Sequence, residues 1–405
     1  MSVNTIFSNP IFPMVIRTTT VLNQLLHLLP EDQFDCFVGQ HKADRYVKKL
    51  TCWNQLTILL YAQASGKDSL RDIETGLIAS GNRWYHLGLE TAAKSTLARA
   101  NEKRPYHIYE SLFYEMLRKC GNLGSGTASF SFKNDLYALD STTIDLCLSL
   151  FPWAKFRKEK GAIKLHTLFN VRSQIPELIT ITEGKINDIP PAHEIDFEAF
   201  PKGSIFVFDR GYNDYSLLRK IKDAGHHFVI RMKKNTHIFR ILGQERKLCG
   251  TRVLADETVA FALPEAQESY PDDLRLVTYH DEEHDETYQF LTDEFRLSAL
   301  NIALVYKNRW QIELFFKWIK QHLHIKTFLG TSKNAVLTQI WIAMIYYLLL
   351  AWIKFQTKFK GSLHILTVMF REVCLQSIPI INLLRLNPKT LRNALPRAAP
   401  QLSFF

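Results

Sequence analysis

The sequence predicts a helical N-terminal domain followed by an α/β core that carries a mostly β insertion. Three observations lead there. Helical periodicity fills residues 20–120, β-rich runs begin near residue 136 just after a Gly/Ser stretch, and helical periodicity returns at about Ser298. A chain of 405 residues with 46% hydrophobic and 12% aromatic content is long and apolar enough for packed cores, which excludes a disordered chain.

The N-terminal helices read in order as VLNQLLHLL, then WNQLTILLYAQASG ending on Gly66, then SLRDIETGLIAS with Ser69 placed to cap it. KSTLARANEKR follows, with Ser95 as its N-cap and Pro105 as its stop, before YHIYESLFYEMLRK. Lys94, Arg99, Lys103 and Arg104 on one of these short helices resemble a helix-turn-helix arrangement; a plain helical bundle is the other reading of the same pattern. GNLGSGTAS at 121–129 is a linker in composition, so the expected division is a helical DNA-binding domain over 1–120 and a linker over 121–130.

Beyond the linker the period changes from helix to strand. LYALDSTTIDL, AIKLHTLFNV and PELITITEG are three β-rich runs. PPAHEIDFEAF offers a helix, SIFVFD a fully apolar strand, YSLLRKIKDAG a helix closed by Gly225, and HFVIRMKK a fifth strand. Three strands, helix, strand, helix, strand is the order of a ribonuclease-H-like sheet. The mostly β insertion covers about 232–297 and contains an acidic hairpin, HDEEHDE. It reads as a solvated turn that keeps edge strands apart, in preference to His280 and His284 as metal ligands. Asn334 to Ile353 carries no charge and is long enough to span a bilayer, yet Asn334, Thr338 and Gln339 interrupt it and no second span accompanies it. The expectation is a buried core helix and no membrane partner. The α/β catalytic domain is thus expected over 131–360, and a basic C-terminal region over 361–405.

The formal charge of +10 is unevenly placed. Residues 301–405 hold 14 basic and 2 acidic side chains, whereas 231–300 hold 9 and 14. A local excess of this kind suits a surface that meets a polyanion, and Arg371, Arg385, Lys389, Arg392 and Arg397 extend it toward the C-terminus. The 6 cysteines form no CxxC pair, which argues against a zinc cluster or a disulfide framework and for a reducing compartment. The first twenty residues do not read as a signal peptide.

Chemistry concentrates on three acids. Asp140 lies inside the apolar strand LYALDST and Asp209 ends another, SIFVFDRGY, where a carboxylate is costly unless paired or bound to a cation. In VYKNRWQIELFFKWIKQHL, Tyr306, Arg309, Glu313 and Lys320 recur on one helical face, with Lys317 beside them, while Ile312, Phe315, Phe316 and Ile319 form the apolar side. Two strand aspartates and a helix glutamate supply the hard oxygen ligands for two Mg²⁺ or Mn²⁺ ions about 3.5–4 Å apart, the arrangement that drives in-line displacement at phosphorus. Arg309 and Lys320 would then grip DNA phosphates.

These motifs resemble the signature of DDE transposases of insertion-sequence family 4: LDST around Asp140, FDRGY around Asp209, and Tyr306-x2-Arg309-x3-Glu313-x6-Lys320. HKADRYVKKLTCWNQL and SGKDSLRDIETGL look like the helical region that precedes the catalytic domain in that family. The resemblance implies that Asp140, Asp209 and Glu313 are catalytic and metal-binding. It also implies that Tyr306, Arg309, Lys320, Lys317 and Arg210 contact DNA, and that a β-rich region separates the second aspartate from the glutamate. The implied protein is a cytoplasmic, nucleoid-associated bacterial enzyme, a DNA endonuclease and strand transferase acting on double-stranded DNA at its element's ends, as a homodimer in a synaptic complex. A derived DNA-binding protein or repressor without catalysis is the alternative. His166 in KLHTLFN belongs either to the site or to the packed core, and Tyr270, Tyr279, Tyr288 and Phe290 are equivalent candidates for an aromatic that stacks on a base.

Overall fold

Helices form wherever the sequence supplies both an apolar stripe and a cap. The computed structural model describes residues 19–84, 87–89, 92–120, 132–157, 160–233, 236–240, 252–322 and 328–385. Before the first strand it contains α1 (Val21–Leu26), α2 (Glu31–Gln40), α3 (Cys52–Ser65), α4 (Leu70–Ala79), α5 (Gly81–Trp84), α6 (Lys94–Lys103) and α7 (His107–Cys120). The Thr20, Thr51 and Ser69 side chains accept from the N–H groups three residues on, satisfying donors that a helix start leaves open. Gly66 takes the left-handed conformation that ends α3. At α6 the expectation fails in detail. Ser95 lies inside the helix, and the N–H of Lys94 instead finds the Glu74 carboxylate of α4 at 3.1 Å. A side chain from a neighbouring helix has taken the place of a local cap. Pro105 does stop α6, with Arg104 extended before it. The linker proposed at 121–129 lies outside the described residues.

The strands that follow are β1 (Leu136–Leu146), β2 (Lys155–Arg157), β3 (Lys160–Asn170), β4 (Ile175–Glu183), β5 (Ile205–Phe208), β6 (His227–Arg231), β7 (Ile238–Arg240), β8 (Val253–Phe261), β9 (Leu274–Asp281) and β10 (Glu286–Thr292). They make one sheet. β3 lies between β1 and β4, antiparallel to both, while β5 pairs parallel with β1 and β6 parallel with β5. β10 then joins β6 antiparallel, and β9, β8 and β7 extend the sheet in that order. The expected β-rich insertion therefore continues the sheet through β10. Its acidic hairpin joins β9 to β10, two interior strands, so it guards no sheet edge, in contrast to the expectation from sequence. The helix expected at 190–200 is two short pieces, α8 (Ile189–His193) and a 3₁₀ turn Phe197–Ala199. α9 (Tyr215–Asp223) links β5 to β6 and α10 (Pro264–Ser269) links β8 to β9.

Strand alternation sets two faces. Tyr137, Leu139, Phe206, Phe208, Phe228 and Ile230 point to a core completed by Ala192 and Ile195 and by Leu217, Leu218 and Ile221 of α9. α11 (Ala299–Asn308) and α12 (Trp310–His322) pack against the sheet as well, α12 on β1 and α11 on β6. Phe169, paired across strands with Ala138, meets Phe315 of α12 at a ring-centre distance of 5.3 Å. Ser298 caps α11 as the sequence suggests.

The last helices are α13 (Lys333–Gln356), α14 (Leu363–Val373) and α15 (Ile380–Arg385). The chain falls into two compact units, one of Met1–Cys120, Thr327–Gly330 and Asn334–Phe405, the other of Gly121–Lys326 and Thr331–Lys333. This differs from an α/β domain running to 360: α13 belongs with α1–α7. Its composition explains why, because a helix apolar all round needs cover on all sides. Trp341 lies 5.2 Å from the Phe113 ring and 5.8 Å from that of Tyr114, and the Asn334 amide donates to the carbonyls of Asn101 and Arg104. α13 is long and apolar enough to cross a membrane by length and composition, and 89% of its most apolar window is buried among these helices. Arg385 ends α15, whereas Lys389, Arg392 and Arg397 lie outside the described residues.

The approach to α11 hangs on Arg275. Fully buried on β9, it makes two 2.8 Å bonds to Asp256 and donates to the carbonyls of Glu294 and Leu297, the latter adjoining the cap of α11. Arg275→Ala leaves Asp256 charged and uncompensated, so chemical denaturation of the variant should register a loss of about 3–5 kcal/mol. A loss below about 1 kcal/mol would mean that the pair does not hold this junction.

Candidate active site

β1 presents Ala138 and Asp140 to the face covered by α12, and Ser141 to the opposite one. Asp209 stands directly after β5, the parallel neighbour of β1, at the start of a 3₁₀ turn, Arg210–Tyr212. Its Oδ1 accepts the Gly211 N–H at 2.8 Å. A β-carbon at Gly211 would stand 2.9 Å from that oxygen, so a larger residue here would push the Asp209 carboxylate aside.

Glu313 comes from the first turn of α12, and Arg309 from the junction of α11 and α12. The guanidinium of Arg309 spans two of the acids. One terminal nitrogen lies 3.0 Å from Asp140 Oδ2 and the other 2.6 Å from Glu313 Oε1. Burial pushes the Asp140 carboxyl up to about 6; the Ser141 N–H and Arg309 pull it down, while Asp209 and Glu313 push it further up. Asp209 and Glu313 are therefore both close enough to act on Asp140. Burial opposes the charge of Arg309, but Tyr306, Asp140 and Glu313 outweigh it and hold the group firmly protonated. The guanidinium rests over the Tyr306 ring at 5.6 Å.

Three half-buried carboxylates, all hard oxygen donors, suit a divalent cation by their chemistry. Arg309 now separates Asp140 from Glu313, so the three are not drawn to a single point. Lys317 and Lys320 are exposed on α12, and Arg210 is exposed directly after Asp209. His166 is buried on the opposite face of the sheet from Asp140. His284 in the acidic hairpin pairs with Asp281 at 2.8 Å. Among the described residues Asp281, Glu283 and His284 bring their donor atoms within 4.8 Å of one another, but Glu283 and His284 are exposed and Lys307 neutralises Glu283.

Sequence reading missed an aromatic ladder that leads away from the site. Phe290 lies 4.6 Å from Tyr306, Tyr288 stacks on Phe290 at 6.1 Å, and Arg231 lies over the Tyr288 ring at 4.6 Å. Tyr288 and Phe290 two apart in β10 were the available signal. Tyr270 and Phe290 are buried, which separates them from the half-buried Tyr279 and Tyr288.

A family model described as the transposase DDE domain matches residues 131–349. The chain belongs to that family. A second model, a domain of unknown function (DUF4372), matches residues 17–90. A transposase-named protein of Sinorhizobium fredii, y4zB, is 35% identical over 257 residues, 63% of this chain and 69% of that one. One from Geobacillus stearothermophilus, named for insertion sequence element IS5377, is 28% identical over 322 residues, 76% and 83% of the two chains. Another from Synechocystis, named for IS4SA, is 26% identical over 64% of this chain and 72% of that one. The solved piggyBac transposase synaptic complex with hairpin DNA is similar at a TM-score of 0.44 with 12% identity, over 95% of this chain and 87% of that one, a likeness too low to define the fold. The DDE transposase of insertion-sequence family 4 type expected from the motifs is thus the family found.

The raised Asp140 carboxyl has a consequence for stability. An acid whose pKa is higher folded than unfolded releases its proton less readily in the folded state, so stability falls as pH rises from about 4 through about 6. Without metal, Asp140→Asn should be more stable than the parent by about 1–3 kcal/mol at pH 7 and equal to it below pH 4. Thermal unfolding across this range checks it, and a variant less stable at pH 7 would contradict it.

Proposed function

We propose that this DDE transposase binds the terminal inverted repeats of its own insertion sequence and cuts and rejoins DNA strands by metal-dependent phosphoryl transfer. The observation that carries this reading is the Arg309 guanidinium spanning Asp140 and Glu313, with Asp209 on the adjoining parallel strand. A ribonuclease-H-like core is supported by the order β4–β3–β1–β5–β6, antiparallel in its first three strands and parallel from β1 to β6.

On this reading Asp140, Asp209 and Glu313 hold two Mg²⁺ or Mn²⁺ ions. When bound, such ions supply activation of a water or 3′-hydroxyl and stabilisation of the leaving oxygen. Arg309 orients the terminal phosphate by its two-pronged donor set, with Tyr306 supporting the guanidinium from below. Lys317, Lys320 and Arg210, exposed around the acids, take phosphates farther along the strand. The N-terminal helices recognise the repeat, two copies bring two ends together, and the protein works in the bacterial cytoplasm at the nucleoid.

Two experiments bear on this. With DNA carrying the element's flanking repeats and Mg²⁺, the parent should cut at the element ends, and Asp140→Asn, Asp209→Asn and Glu313→Gln should each abolish cutting while leaving end binding intact. Binding without any cutting by the parent would instead favour a non-catalytic repressor. Separately, Lys317→Ala and Lys320→Ala should each flatten the salt dependence of DNA binding by about one unit of slope. Unchanged slopes would make this face merely solvated.

A further inference from the structure

Directly behind Asp140, on the other face of the sheet, lies a polar cluster that the reaction as described does not use. At its centre is Asp188, which occupies the cap position of α8 yet makes no capping bond to that helix. An aspartate at a helix start ordinarily turns to the open N–H groups. This one faces the sheet. Lys164 Nζ and His166 Nδ1 of β3 lie 3.2 and 3.3 Å from its Oδ1, and the Ser141 side chain of β1, register partner of His166, lies close to it. Burial works against ionisation, but His166, Ser141 and Lys164 together hold the carboxyl low, at about 2.

The donors are themselves fixed. His166 Nε2 is 2.9 Å from the Thr182 hydroxyl of β4, and Lys164 also donates to the Ile186 carbonyl at 2.9 Å. The cluster thus gathers β1, β3, β4 and the turn into α8 around one half-buried carboxylate. It reaches the strand that carries Asp140. Ser141 is the residue after Asp140, and its N–H donates to Asp140 Oδ1 at 2.7 Å.

We propose that Asp188 is a positioning residue for the metal site: held against Lys164 and His166 of β3, it braces the strand pair at Ser141 and His166 and so fixes the Ser141 N–H that orients the Asp140 carboxylate. The physical reason is that a metal ligand is only as well placed as the groups that hold it. Strand alternation lets a residue on the back face set the backbone of its neighbour on the front. Outer partners of this kind are worth about 10–100-fold in metal affinity or activity. The inference rests on the three acids binding metal, as proposed above.

The test uses the full chain, with Mn²⁺ as the probe and two readouts: the Mn²⁺ concentration that half-maximally raises the thermal unfolding midpoint, and kcat and KM for cutting of element ends. Asp188→Asn should need about tenfold more Mn²⁺ and lose about tenfold in kcat with KM for DNA unchanged. Ser141→Ala should move both in the same direction, and Ser141→Thr should restore them. Parental Mn²⁺ demand and kcat in Asp188→Asn and Ser141→Ala would overturn the inference; should Asp188→Asn fail to fold, Ser141→Ala decides alone. A parent that neither responds to Mn²⁺ nor cuts DNA would overturn the catalytic reading itself, a result distinct from the first.

Discussion

Everything around the site follows from one electrostatic constraint. Three carboxylates share a half-buried cleft, and Arg309 is the cation that bridges two of them. Asp140 lies in the interior of a sheet, where ionisation is opposed by burial and by its two acidic neighbours. A guanidinium with two separated donor pairs can serve two carboxylates at once, which a lysine on the same helix could not do with the same geometry. Tyr306 completes the arrangement by giving the guanidinium an aromatic floor.

Bringing these groups together requires long-range order, since Arg309 and Asp140 are 169 positions apart. The parallel pairing of β1 with β5 places Asp209, just past the end of β5, beside Asp140 in the middle of β1. β10, antiparallel to β6, carries the insertion back into the sheet, and the buried Arg275 pair then fixes the point from which α11 departs. The insertion therefore acts as structure as well as spacing: its strands deliver the helix pair that carries Arg309 and Glu313. On the other face, Asp188 holds the same strand from behind.

Much of this was legible in the sequence. Period-two and period-3.6 patterns located the strands and helices, and the Tyr306, Arg309, Glu313 and Lys320 spacing marked one helical face. The motifs also led to the right family. What the sequence hid were choices made by tertiary contact. Ser95 looked like a cap, but Glu74 from α4 met the Lys94 N–H first. α13 looked like part of the α/β domain because it follows α12 in the chain, yet its all-round apolar surface needed the Phe113 and Tyr114 rings. Asp188 carried no legible signal, because a polar residue before two prolines reads as an ordinary helix start. Only the register of β1 against β3, which sets Ser141 opposite His166, brings it to the site.

The central claim is that Asp140, Asp209 and Glu313 form a cation site that Arg309 bridges in the absence of metal. It is tested most directly by crystallising the full chain with Mn²⁺ and locating the ion by its anomalous scattering. The account predicts density among the oxygens of these three acids, with Arg309 withdrawn from at least one of them. Density confined to Asp281, Glu283 and His284, with Arg309 still bonded to Asp140 and Glu313, would contradict it.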